Sequence, residues 1–159
     1  MEIFEIHVEV FAYHAEACQI LEIRINLTIM EDRLQSLSYE IRGAAMNVYN
    51  YFGPGLLESL YEKAMIVELR NREIPVLSQV PLKVSYKGQI IDADYRLDLL
   101  VDDLIIIELK SVSEITPLHY KQLRSYLKIA NKPLGWLINF NENDFSRGMI
   151  KVPNRYFVL

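Results

Sequence analysis

A single cysteine, Cys18, is all that this chain of 159 residues contains. That excludes a disulfide framework within the chain, a four-cysteine zinc site and a four-cysteine iron–sulfur cluster. Also missing is any apolar run near the roughly 20 residues needed to span a bilayer. The opening stretch, "MEIFEIHVEV", carries acids where a secretory signal carries bases. Cations are not in excess either. Lys and Arg number 17 against 21 Asp and Glu, so the net charge is −4 and gives no general attraction to nucleic acid or anionic membrane. Only a concentration of bases on one face would change that. No Gly-rich phosphate loop and no Ser-His-Asp spacing occurs, which removes P-loop ATPase and serine-hydrolase chemistry. The expectation is a cytoplasmic protein that does not engage membranes.

What is present suits one domain with a real core: 51% of residues are hydrophobic and 24% charged. Residues 1 to 35 read apart from the rest. "FEIHVEV" and "IRINLTI" (Ile23 to Ile29) alternate apolar and polar residues, the pattern of half-exposed strands, around a helix-like "AYHAEACQIL". His14 and Cys18 stand one helical turn apart with His7 nearby, but two candidate ligands do not make a metal site. Met30 could serve as a translation start, so this segment reads as an extension to a core beginning near Ser36. An exposed alternating segment could pair with a second chain, which makes a homodimer one expectation.

The core reads more clearly. Ile41, Ala44, Ala45, Val48 and Phe52 have helical spacing, and "GPG" at 53 to 55 ends that helix. A second helix is predicted from about Leu56 to Arg72, with Leu57, Leu60, Ala64 and Val67 on its apolar face. Strands follow at 80 to 86, 89 to 101 and 104 to 112, separated by turns at Lys87-Gly88 and Asp102-Asp103. Thr116-Pro117 is a helix start, a capping hydroxyl followed by proline, and that helix runs to about Ala130. "LGWLINF" (134 to 140) is a buried strand, and one or two short strands close the chain. Helices, antiparallel strands, helix and strand in that order make an α+β or mixed-sheet α/β domain.

Within "RLDLLVDDLIIIELKSV" (96 to 112), Glu108 and Lys110 interrupt the end of an apolar strand and share one of its faces. Two readings are open. One is an ion pair at the rim of the sheet. The other is a hydrolytic site, in which carboxylates hold Mg²⁺ through oxygen and a lysine orients water and offsets phosphoryl charge. Asp98 would supply the second carboxylate, and this sets a geometric condition. A two-residue loop at Asp102-Asp103 pairs Asp98 with Ile107 and turns it away from Glu108. A shared site therefore predicts an irregular hairpin, with a three-residue turn or a bulge.

Asp98 followed ten residues later by Glu108-Leu109-Lys110 resembles the PD-(D/E)XK nuclease superfamily. "GLLESLY", Gly55 to Tyr61, resembles the signature of the GxxExxY family, small prokaryotic proteins assigned to that superfamily. "QLRSY", Gln122 to Tyr126, is similar to the helix that follows the catalytic strand in RecB-type nucleases. The likeness extends from about Leu37 to Val158 and implies a restriction-endonuclease-like core, a mixed central β-sheet flanked by helices. It implies Asp98 and Glu108 as metal ligands for Mg²⁺ or Mn²⁺, Glu58 completing or supporting the site, and Lys110 as the catalytic lysine. Gln122 and Tyr126 would orient the substrate phosphate or the site's network. One departure is that relatives often carry His before the GPG turn, where this chain has Val48-Tyr49-Asn50.

The residues also carry plainer readings. Glu58 suits the first turn of a helix because of the macrodipole. Tyr61 suits a core aromatic with a satisfied hydroxyl, and His119 a surface or capping role. On the helix after Pro117, Leu123, Leu127 and Ala130 share one face, and Lys121, Arg124 and Lys128 the opposite one. With Lys132, and with Arg147, Lys151 and Arg155 further on, this stripe is either a solvated surface or a contact for a nucleic-acid backbone. The functional expectation is a divalent-metal-dependent nuclease acting on DNA, with RNA also possible. The alternatives are a non-catalytic nucleic-acid- or protein-binding module on the same fold, and a hydrolase of another phosphoester.

Overall fold

The computed structural model describes residues 2–91 and 94–158, and side chains from Gln19 onward. The chain divides into two units, residues 1–37 and 38–159. Helix α1 (Glu2–Phe52) runs through the first and into the second. Within the first unit, the expected strand at Ile23 to Ile29 is helical. Ile20, Ile23, Leu27, Met30 and Leu34 recur in steps of three and four, and this helical period outweighs the local alternation. A helix also satisfies its own backbone, whereas a strand needs a neighbour. The other strand candidate, residues 4–10, falls within the span of α1. Its side chains, with those of His7, His14 and Cys18, lie outside the described residues.

The second unit contains the remainder of α1, where Ile41, Ala44, Ala45 and Val48 are buried as their spacing requires. Then come α2 (Glu58–Asn71), β1 (Val76–Pro81), β2 (Val84–Tyr86), β3 (Gln89–Ile91), β4 (Arg96–Val101) and β5 (Ile105–Lys110). After these follow α3 (Pro117–Ala130), β6 (Leu134–Asn139), α4 (Phe145–Gly148) and β7 (Met149–Pro153). Five strands form a sheet in the order β1-β4-β5-β6-β7, and β2 pairs with β3 in a separate hairpin. Only β5 and β6 are parallel, joined by the crossover through α3; the other neighbours are antiparallel. This is the expected mixed α/β architecture. Of the predicted 89 to 101 strand, residues 92 and 93 lie outside the described residues, and the rest divides into β3 and β4.

Burial of β5 on both faces explains its unbroken Ile-Ile-Ile run. One face packs on α3, where Ile106 joins Leu123, Leu127 and Leu137 in a cluster. Glu108 and Lys110 alternate with Ile106 and therefore open on this face. Helix α2 packs against the same sheet through Tyr61, which stacks on Phe140 with ring centroids 4.3 Å apart. The apolar face expected for α2 is corrected. Leu57 is 78% exposed, whereas Tyr61, Met65 and Leu69 are buried. Leu57 lies outside the helix as its N-cap, and the larger side chains at i, i+4 and i+8 win the core face. The short α4 was not anticipated; it buries Phe145 against Tyr49 and Phe140.

Candidate active site

The β4–β5 hairpin meets the geometric condition. Val101 pairs with Ile105, Leu100 with Ile106 and Leu99 with Ile107, leaving a three-residue loop at 102–104. Asp102 and Asp103 adopt left-handed backbone (φ 50° and 55°), a conformation that Asp tolerates, and Leu104 N–H closes the turn on Val101 O at 3.0 Å. Continuing this register sets Asp98 opposite Glu108, on the same face of the sheet. The Asp98 Oδ2 then accepts a hydrogen bond from Leu109 N at 2.8 Å. On its other side, the β1–β4 register sets Asp98 opposite Gln79, which has φ 52°.

Glu108 is 2% exposed. Its Oε1 accepts hydrogen bonds from Lys110 Nζ at 2.7 Å and from Gln122 Nε2 at 3.3 Å, whereas its buried Oε2 has no partner. Lys110 Nζ also donates to Leu109 O at 3.0 Å. Gln122 donates to the Tyr126 hydroxyl at 2.8 Å, so α3 fixes the amide that steadies Glu108. Glu108 and Lys110 do form an ion pair, at the C-terminal end of β5, and both of its side chains are largely withdrawn from water. A buried carboxylate with one empty oxygen is costly unless something further occupies it.

The electrostatics agree. Burial, and then the neighbouring Asp98 carboxylate, push Glu108 up to about 7, although Lys110 opposes the shift. Burial, with the Glu62 and Glu58 charges, also raises Asp98, against the lowering by the Leu109 N–H bond and Lys110. For Lys110, burial works toward a lower value, but the Glu108, Asp98 and Glu58 carboxylates together lift it. Glu108 alone is bonded to the ammonium, while the charges of Asp98 and Glu58 also act on it, so negative charge exceeds positive here. Carboxylate oxygens short of positive charge are hard ligands suited to a divalent cation. Among the described residues, no three His, Cys, Asp or Glu side chains converge as a ligand set.

Glu58 reaches this region from α2. Its Oε1 accepts the Ser111 N–H at 3.0 Å, just past the end of β5, and its charge acts on Asp98, Glu108 and Lys110. The turn before it explains its neighbours in the motif. Gly55 has φ +96°, a left-handed backbone that favours glycine. The Tyr61 hydroxyl donates to Gly53 O at 2.7 Å and accepts from Leu56 N at 3.2 Å, latching the turn. Ser111 Oγ then donates to Leu56 O at 2.6 Å and ties the turn to β5. Gly, Glu and Tyr thus act as one local device that carries a carboxylate to the C-terminal end of β5.

Asn139 escaped the sequence reading. It is 1% exposed at the end of β6; its Oδ1 accepts Val112 N and Asn141 N, and its Nδ2 donates to Val112 O. A polar residue closing the otherwise apolar "GWLIN" strand was its one available signal. Asn139→Ala leaves the Val112 backbone unsatisfied and is expected to cost about 2 kcal/mol in urea unfolding. A loss below a few tenths would show that water replaces the amide. His119 has the capping role, its Nδ1 accepting the Thr116 N–H at 3.1 Å. Lys121 and Arg124 are exposed on α3, while Lys132 leaves the basic stripe to pair with Asp103 at 2.7 Å.

The family model described as PD-(D/E)XK nuclease superfamily matches residues 35–152. No curated protein and no solved structure matches the chain.

Proposed function

Because the chain belongs to the PD-(D/E)XK nuclease superfamily, whose members act on nucleic acid and generally use divalent metals, we propose that it hydrolyses DNA phosphodiesters with Mg²⁺ or Mn²⁺. The observation that carries this reading is the buried, unpartnered Oε2 of Glu108, on the face it shares with Asp98 and Lys110. A purely structural ion pair gives no reason to leave that oxygen empty. We further assign the chain to the GxxExxY group, on Gly55, Glu58 and Tyr61.

Asp98 and Glu108 would hold the cation, with Glu58 supporting it from beyond the end of β5. The chemistry supplied there by a divalent ion is polarisation of the phosphoryl group and a lowered pKa of attacking water. Lys110, kept protonated by the surrounding carboxylates, offers its ammonium to the charge that develops on the phosphoryl oxygens. Gln122 holds Glu108 in orientation, and Tyr126 holds Gln122. Lys121 and Arg124 on the exposed side of α3 would contact the nucleic-acid backbone.

Incubation with single- and double-stranded DNA should give products with Mg²⁺ or Mn²⁺ and none with EDTA. Titration with Mn²⁺ should show binding that Asp98→Ala weakens at least about tenfold. Cleavage that survives EDTA, or Mn²⁺ binding indifferent to Asp98, overturns the metal assignment.

A further inference from the structure

Gln122 and Tyr126 occupy the site-facing side of α3, and Arg124 lies about 200° around the helix from Gln122. On that far side Arg124 meets the end of the chain. Arg124, Pro153, Asn154, Arg155 and Tyr156 line a cavity of about 160 Å³, and Lys128 Nζ sits 4.9 Å from the centroid of the Tyr156 ring. Two arginines thus line a small concavity with Lys128 held at the ring of its Tyr156, and among the described residues none of these three cations has a carboxylate partner. No Asp or Glu occurs in residues 115–141 or 145–159, the segments that build this surface.

The tail is held in place rather than merely adjacent. Asn154 Nδ2 donates to Leu127 O and Lys132 O, each at 3.0 Å, and its Oδ1 accepts Tyr156 N at 2.9 Å. Asn131, left-handed at the end of α3 with φ 46°, bonds Val158 through both atoms of its amide. These side chains fasten residues 154–158 to the last turn of α3 and set Arg155 beside Arg124. Bringing like charges together is unfavourable, and an anion of the size of a phosphate group would relieve it.

We infer that Arg124, Lys128, Arg155 and Tyr156 form a phosphate-binding subsite, separate from the carboxylate centre, that engages the backbone of a nucleic acid flanking the point of cleavage. The inference rests on the nuclease reading for its ligand. It also accounts for how a chain of net charge −4 binds a polyanion: the cations are sorted onto one side of α3 and the C-terminal tail.

The test is fluorescence anisotropy with a labelled duplex of about 24 base pairs, in EDTA so that nothing is cut, across a salt series. The full chain is compared with Arg124→Glu/Arg155→Glu and with the milder Arg124→Gln/Arg155→Gln, after circular dichroism has shown each folded. The reversal pair should weaken binding at least about tenfold near 0.1 M salt and reduce the slope of log Kd against log salt by about 2. The Gln pair should show the same change in slope. Unchanged affinity and slope in both overturn the subsite. So does a wild-type chain that binds phosphatidylglycerol vesicles through these arginines and does not bind the duplex. If the duplex is bound in this way but never cleaved with Mg²⁺ or Mn²⁺, the subsite stands and the hydrolytic reading fails.

Discussion

Glu108→Ala and Lys110→Ala are each expected to lower DNA cleavage by at least about a thousandfold at saturating Mg²⁺ or Mn²⁺. The two losses have different physical origins. Alanine at 108 removes both the empty Oε2 and the oxygen that receives Lys110 and Gln122, so the cation loses a ligand and the ammonium loses its anchor. Alanine at 110 keeps every carboxylate but withdraws the only cation among them, which should push Glu108 above its already raised value of about 7. Lys110→Ala should therefore regain part of its metal affinity at alkaline pH, whereas Glu108→Ala should not. Initial rates on a labelled duplex, with Mn²⁺ affinity measured alongside, distinguish these cases. Equal rates in wild type and both variants would reject the assignment.

Glu108→Gln should stabilise the metal-free protein at pH 8 and leave it nearly unchanged at pH 4. The free carboxyl titrates at 4.5 and the buried one at about 7. A carboxyl raised on folding contributes stability that is fully present below pH 4.5 and is lost as pH rises through about 7. The gap corresponds to about 3 kcal/mol at most, and sharing of the proton with Asp98 brings the expectation to about 2 kcal/mol. Glutamine keeps the shape and an acceptor for Lys110 without needing to ionise. Urea unfolding at the two pH values, in EDTA, gives the result directly. Added Mn²⁺ should reverse the order at pH 8 by stabilising wild type more than the variant. An equal effect of the substitution at both pH values would mean that Glu108 is not held in a dry, anionic setting.

Much of this site could be read in advance because its local chemistry is written in short spacings. Glu108 and Lys110 two apart fix their shared face. Thr116-Pro117 marks the start of α3, and Leu123 and Leu127 its buried face. Even the irregular hairpin was required by the demand that Asp98 meet Glu108, and the three-residue loop at 102–104 supplies it. Where the reading failed, the deciding contact was remote or the local signal was double. Ile23 to Ile29 carries both an alternating and a helical period, and α1 follows the second. The face of α2 was misplaced because Leu57 caps the helix, leaving Tyr61 and Met65 to fill the core. Asn139 carried only the weak signal of a polar residue closing an apolar strand, because its partner, Val112, is 27 residues away.

By itself, then, the sequence determined the classes of chemistry that are excluded, the helices before and after the β4–β5 hairpin, and the residue types available at the end of β5. Those depend on composition, period and turn chemistry, which act over a few residues. Only the tertiary structure decided that Glu108 is dry with one empty oxygen and that Glu58 reaches Ser111. It also placed Arg124 and Arg155 together in the lining of one cavity. Burial, charge and the free valence of an oxygen depend on what the chain brings back from as far as 53 residues away, and no local pattern encodes that return.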